Sequence, residues 1–294
     1  MSAPTDVVVY LRERFVAPQD AVVSIFDRGY TLGDSVFSTM RAYEGVVFRL
    51  REHILRLEAA AGALGISLPK SAAELSSIVA QALDRLGKPE AVVRVTLSRG
   101  EGPLGVSSSG CDRPVLSVIA RPYHGYPDEA YRDGIASMVV RVRKIPAECL
   151  EPAHKTGNYL SAVLARRQLE ASGMVEGVQL AMDGAVVSGS ISNVFLVKGG
   201  RLCTPDTASG CRPGVTREAI LREAAALGIE VAEQRLVVAD LEGADEVFFA
   251  NTVMECLPVK SIGATSYAPA PGAYTRGIHD ALRARIRHEV RGKA

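Results

Sequence analysis

The sequence lacks an excess of either charge: Lys and Arg number 34 against 33 for Asp and Glu. That balance removes the long-range field that draws basic proteins onto nucleic acid or anionic membranes, and leaves a small molecule as the default partner. No apolar run approaches the roughly 20 residues that a membrane-spanning helix needs. Residues 1–9 show no basic stretch followed by an apolar core and a cleavage site, so the expected location is the cytoplasm. Cysteine is sparse and unpatterned. The five cysteines, at 111, 149, 203, 211 and 256, form no CxxC pair and have no histidines at metal spacing, which argues against a disulfide framework and against a metal site. Internal repeats and low-complexity tracts are absent as well.

What remains is an ordinary globular composition, 47% apolar and 23% charged over 294 residues, long enough for two domains each with its own core. The first third alternates β-rich runs at 7–11, 22–25 and 46–50 with helical periodicity. Leu50, Ile54, Leu57, Ala61 and Leu64 recur at helical spacing and stop near Gly65. A second helix, over 72–86, ends at Gly87-Lys88-Pro89, and β-branched runs follow at 92–97 and 115–120. Residues 121–134 (RPYHGYPDEAYRDG) lose the periodicity and gather Pro, Gly and Tyr, so they read as a connection between a small α/β domain at 1–120 and a larger domain at 135–294. Strand-like runs at 135–142, 178–182, 194–197 and 247–249, interrupted by helices near 158–171 and 217–227, favour an α+β protein whose larger part is barrel-like.

Three places have residue types suited to chemistry. Lys155 in PAHKTGNYL stands at a loop-to-helix junction, where a lysine is ordinarily a solvated charge, yet His154, Thr156, Asn158 and Tyr159 crowd it with polar groups and a ring. A Schiff-base lysine needs such confinement, because desolvation favours the neutral amine. The segment CRPGVTREAIL opens a helix at Val215 and Thr216, whose amides and hydroxyl would seat a phosphate; the plainer alternative is that Thr216 caps the helix. Arg56 lies off the apolar stripe one turn from His53, fit either for a phosphate or for the surface, and Thr252 follows the run at 247–249.

Taken in order, these segments resemble the class IV aminotransferase family, the fold-type IV enzymes that use pyridoxal 5'-phosphate. SIFDRGYTLGDSVFSTMRAYEG with FRLREHILRL resembles the family's N-terminal signature and HKTGNYL its lysine motif. SGSISNVFLV resembles its cofactor-ring strand, PGVTREAIL its phosphate loop, and NTVMECLPV its last site segment. The resemblance implies a small α/β domain, a pseudo-barrel domain and a homodimer. It also implies that Lys155 forms the Schiff base and shuttles the proton. Arg56, Thr216 and Thr252 would hold the phosphate with the amides of Val215 and Thr216, and Tyr159 would bond the ring oxygen. Ser188, Ser192 and Asn193 would stand along the cofactor ring, and Leu32 and Val253 would face the substrate.

One departure from that pattern matters. Where most members place a glutamate against the pyridine nitrogen, in a pattern like E-G-x-x-S-N, this chain has Ser188. A carboxylate there keeps the nitrogen protonated and the ring a strong electron sink; a serine offers at most a neutral hydrogen bond. Substrate clues diverge. Arg94 matches a branched-chain transaminase position, although Val92 replaces the usual tyrosine; Arg99 matches an arginine of D-amino-acid transaminases, or else pairs with Glu101; and SRGEGPLG resembles a loop of aminodeoxychorismate lyases. The expectation is an aminotransferase for a small branched-chain or D-amino acid. The alternatives are 4-amino-4-deoxychorismate lyase and a non-catalytic relative that binds the cofactor.

Overall fold

The computed structural model describes residues 6–292; residues 1–5, part of the stretch read above for a leader, lie outside them. The chain forms two compact units. The first runs up to His124, takes in His154–Asn158 and resumes from Ile286; the second comprises Gly125–Ala153 and Tyr159–Arg285. The first crossing falls within the segment expected to connect domains. The lysine loop 154–158, expected with the larger domain, goes with the smaller unit.

In the first unit the elements are β1 (Val8–Leu11), β2 (Arg14–Val16), α1 (Arg28–Leu32), β3 (Ser35–Tyr43) and β4 (Val46–Val47), followed by α2 (Leu50–Ala63), α3 (Ala72–Leu86), β5 (Ala91–Ser98) and β6 (Val115–Pro122). The strands form a six-stranded sheet in the order β2-β1-β6-β5-β3-β4. Ile54 and Leu57 from α2 and Leu75 and Val79 from α3 enter one core with Val36, Met40, Val93, Val95, Leu97 and Val118 of the sheet. Each such side chain contributes about 1.5–3 kcal/mol on burial, so this layer dominates the unit's stability. Local chemistry sets the helix limits. Ser71 and Glu74 form a reciprocal capping box before α3, and Gly87 at φ 62° ends it.

The run at 22–25, expected as a strand, is irregular with Val22, Val23 and Ile25 exposed, because the Ser24 carbonyl accepts from the Asp27 amide and turns the chain into α1. The run at 46–50 yields only the two residues of β4, since Arg49 takes a left-handed φ of 54° where α2 begins.

The second unit contains α4 (Asp128–Asp133), β7 (Ile135–Ser137), α5 (Leu160–Ala171), β8 (Val178–Leu180), β9 (Val186–Gly189), β10 (Asn193–Lys198), β11 (Arg201–Pro205) and α6 (Val215–Ala226). It continues with β12 (Val231–Gln234), α7 (Val238–Glu242), β13 (Glu246–Asn251), β14 (Glu255–Ile262), β15 (Thr265–Ser266) and α8 (Ala273–Arg291), whose residues from Ile286 on count with the first unit. One sheet runs β12-β11-β10-β13-β14-β15 with β7 parallel to β14, and β8 and β9 form a separate antiparallel pair. Val194, Leu196, Val247, Phe249, Leu257 and Val259 fill its core with Val178 and Val186. The run expected as a strand over 135–142 is shorter, stopping at Ser137 with an isolated bridge from Val139 to Val178. No helix of the described residues is long and apolar enough to cross a membrane.

Candidate active site

In the first unit, Lys155 is fixed by its backbone. Its carbonyl accepts from the Phe37 amide at 2.8 Å, the Gly157 amide donates to Ser35 O at 2.7 Å, and Thr156 bridges Val36. The lysine loop is therefore tied to β3 by one isolated bridge and two backbone hydrogen bonds, which is why it belongs to this unit. Glycine is required at 157, since a Cβ there would collide with Ser35 Oγ and stand 2.7 Å from Gly33 O. Lys155 Nζ lies 4.9 Å from the centre of the Phe37 ring, and the Arg94 guanidinium lies 3.6 Å from the same centre. A half-buried amine and a guanidinium thus share one aromatic ring.

His53 on α2 is 5% exposed and its Nδ1 is 3.0 Å from Ser38 Oγ on β3. Burial first, then the charges of Lys155, Arg56 and Arg49, push its pKa down to about 3. The ring is neutral at physiological pH, and a test of stability follows. The unfolded pKa of about 6.5 lies above the folded one, so between the two values the unfolded chain binds more protons and stability falls as pH falls. Urea unfolding at pH 5 and pH 7 should show a loss of at most about 2 kcal/mol from this residue, absent in His53→Gln. An equal loss in both proteins would contradict the assignment.

Arg99 is committed elsewhere. Its guanidinium donates to Asp34 at 2.7 and 3.1 Å and to the carbonyls of Leu64 (2.6 Å) and Gly65 (3.0 Å). Burial pushes the Asp34 carboxyl up, but hydrogen bonds from Arg99 and Arg28 outweigh it and hold the group below its ordinary range. Glu101, the partner considered from sequence, pairs with Arg12 at 3.6 Å instead. Leu32 ends α1 and is 47% exposed.

In the second unit, Ser188 on β9 is buried and its hydroxyl donates to Gly189 O at 2.7 Å. The loop after it wraps Glu176, a fully buried carboxylate. Glu176 accepts from the amides of Gly177 (2.9 Å) and Ser190 (2.7 Å), from the Ser190 hydroxyl, and from Ser192 Oγ at 2.9 Å. Asn193 then donates to Arg212 O at 2.9 Å, tying this loop to the one that opens α6. There Gly214 is the N-cap, and a Cβ on it would stand 2.5 Å from Asn193 Oδ1. Thr216 sits within the first turn and makes no cap, so the capping alternative is set aside. Its hydroxyl is 3.3 Å from that of Thr252 in the turn after β13. Asn251 Oδ1 holds that turn by accepting from the amides of Val253 (2.8 Å) and Met254 (2.9 Å). The opening amides of a helix have no intrahelical acceptor, and with these two hydroxyls beside them they are groups that could hold an anion. Tyr159 is the half-buried N-cap of α5.

The residues read from sequence fall into these two sets: Lys155 and Arg94 at one ring, with Arg56 acting on His53 nearby; Ser188, Ser192 and Asn193 along one loop; Thr216 and Thr252 at one helix start. Sequence reasoning missed Glu176, Phe37 and Asn251. The signal for Glu176 was a single carboxylate inside the otherwise uncharged stretch GMVEGVQLAM, since a lone charge amid apolar residues needs partners when it is buried.

On this α+β architecture the two sets define a fold-type IV enzyme. Residues 35–262 match the family Amino-transferase class IV, and the chain belongs to that family. A Methanocaldococcus jannaschii protein provisionally named branched-chain-amino-acid aminotransferase is 40% identical over 86% of this chain and 87% of its own. The aminodeoxychorismate lyase of Bacillus subtilis is 32% identical over 98% of both. Among solved structures, the branched-chain amino acid aminotransferase of Escherichia coli superposes with a TM-score of 0.91, at 31% identity, over 95% of this chain and 94% of that one.

Proposed function

We propose that this enzyme uses pyridoxal 5'-phosphate to move the amino group of a branched-chain amino acid to a keto acid, with Lys155 as the covalent anchor. The observation that carries the substrate reading is the placing of Arg94 and Lys155 on the single ring of Phe37. An amino acid whose carboxylate is drawn to Arg94 presents its Cα to the Lys155 amine. Arg99, the arginine that a D-amino acid would need, has its guanidinium spent on Asp34 and two carbonyls. In the first unit, the exposed Leu32 at the end of α1 offers apolar surface to an aliphatic side chain.

The residues present fit the cofactor. The helix start at Val215, with the paired hydroxyls of Thr216 and Thr252, suits a phosphate dianion. Tyr159 serves the ring oxygen, and Ser192 and Asn193 shape the loop along the ring. Bound pyridoxal phosphate supplies an electron sink for the negative charge that develops at Cα. Lys155 takes the Cα proton and returns it to the other side of the transfer; its strand-like backbone tether keeps the amine in place for both steps. A second copy of the chain would cover the exposed apolar residues Val22, Ile25, Phe26 and Tyr30, consistent with a homodimer.

Ser188 favours a second reading. Its hydroxyl is given to Gly189 O, so it leaves the ring nitrogen without a carboxylate and weakens the sink. That handicaps full amino transfer more than it handicaps a β-elimination, as in the aminodeoxychorismate lyase relative. A half-reaction screen with L- and D-amino acids and aminodeoxychorismate separates the two. Bleaching of the cofactor absorbance by L-leucine or L-valine, with 2-oxoglutarate restoring it, is expected. Turnover of aminodeoxychorismate with no amino transfer would replace the first reading by the second. Ser188→Glu should speed the amino-transfer half-reaction about tenfold by restoring the sink, ~1.4 kcal/mol of barrier. An unchanged or slower rate in stopped-flow absorbance would refute this account of position 188.

A further inference from the structure

We infer that Glu255 is a positioning residue of the phosphate seat: its buried carboxylate, anchored on α8, holds the turn 252–254 in the shape that brings the Thr252 hydroxyl beside Thr216. The inference rests on the cofactor reading above and adds a residue to it. β13 and β14 form a hairpin closed by Asn251 and Glu255, with Thr252, Val253 and Met254 as its three-residue loop. Such a loop commonly turns back onto its strand through a left-handed residue, a position that glycine fills without strain. Here that residue is Glu255, at φ 55°. A residue with a Cβ keeps this conformation only where the surrounding structure enforces it, and enforced backbone of this kind gathers at binding sites.

The side chain shows what enforces it. Glu255 is buried, and its Oε2 accepts from Arg283 Nε at 2.8 Å and from His279 Nε2 at 2.7 Å, both on α8. Tyr131 on α4 completes the clamp: its ring stacks on that of His279 with 5.6 Å between centres, and its hydroxyl donates to Met254 O at 3.0 Å. These residues all belong to the second unit. The end of the turn is thus gripped from α4 and α8, while Asn251 Oδ1 takes the amides of Val253 and Met254 from within. Thr252, at the head of the turn, reaches the start of α6, its hydroxyl 3.3 Å from that of Thr216. A rotation of the backbone at Glu255 would swing the loop and carry that hydroxyl away. The carboxylate therefore acts on the phosphate through the position of Thr252.

Calorimetric titration of the apoprotein with pyridoxal phosphate and with pyridoxal tests this. Glu255→Ala should weaken pyridoxal phosphate about tenfold and change pyridoxal by less than about twofold, because only a phosphate partner is displaced. Glu255→Gln keeps an acceptor oxygen for Arg283 and should recover most of the loss. Glu255→Gly removes the backbone strain together with the carboxylate, and should bind like the alanine variant. Native discrimination in the glycine variant would overturn the inference, as would equal losses for the two ligands or no loss in Glu255→Ala. A double-mutant cycle checks the route. Thr252→Val should weaken pyridoxal phosphate about tenfold, and Glu255→Ala on that background should cost less than about a further twofold, since the hydroxyl to be positioned is gone. Losses that multiply in full would overturn the route through Thr252. Should the Glu255 variants fail to fold, His279→Phe keeps a ring against Tyr131 and removes one donor to the carboxylate. It should lose about threefold in affinity for pyridoxal phosphate alone, and an unchanged affinity would overturn the inference. The two readings fail separately: absence of a hydride-trapped adduct on Lys155 removes the cofactor reading, whereas an adduct with unchanged ligand discrimination removes only the role of Glu255.

Discussion

Lys155→Ala is expected to abolish amino transfer, with a fall in rate of about 10⁴-fold or more, while the protein remains folded. Two jobs that the residue performs are separable. Its backbone carbonyl binds the Phe37 amide, and alanine keeps that bond. Its amine lies half-buried over the Phe37 ring, and alanine removes it. The thermal midpoint should therefore move by only a few degrees, and the variant should still bind pyridoxal phosphate non-covalently through the helix start and its threonines. Added methylamine should restore part of the Cα proton transfer, because a free amine can enter the space the side chain vacates. A variant that keeps a rate within about tenfold of native would show that the proton is moved by another group.

Glu176→Ala is expected to cost about 3–5 kcal/mol of stability, the largest effect of any replacement at the loop that follows β9. The fully buried carboxylate is the acceptor for three backbone amides, those of Gly177, Ser190 and, at 3.5 Å, Ile191, and for two serine hydroxyls. Alanine leaves all five donors without it, and each buried unsatisfied donor costs about 1–3 kcal/mol, less when the loop can relax toward water. Asn193 follows the same loop and reaches across to Arg212 O, so disorder at 189–192 should loosen the entry to α6 and weaken cofactor binding as well. Glu176→Gln keeps one carbonyl oxygen and should fall between native and alanine. Urea unfolding with a parallel pyridoxal phosphate titration reads both effects. A change under about 1 kcal/mol with native affinity would mean that the serines order the loop without the carboxylate.

The parts of the fold that were legible in sequence are those whose causes are local. The helix at 72–86 is found at its expected limits because Ser71, Glu74 and Gly87 mark both ends within a few residues. The nine-residue β3 is not legible as a strand in the sequence, since SVFSTMRAY is buried on both faces and carries serine and arginine among its buried positions. Without a solvated face there is no alternation to see. The converse holds at 22–25, where an apolar run suggests a strand but the chain stays irregular. At the site, motif order identified Lys155, Thr216 and Thr252, but the partners that decide roles are distant in sequence. Asp34, which engages Arg99, lies 65 positions away, and Ser190 lies 14 from Glu176. Such pairings are made by tertiary packing, so spacing along the chain could suggest Arg94 and Arg99 as rivals without choosing between them.

The most direct measurement is borohydride reduction of the protein with bound pyridoxal phosphate, followed by peptide mapping. A single phosphopyridoxyl adduct on the peptide HKTGNYL, at Lys155, is the predicted result, with loss of the visible absorbance in step. An adduct on another lysine, or a cofactor washed away intact after reduction, would contradict the account at its root.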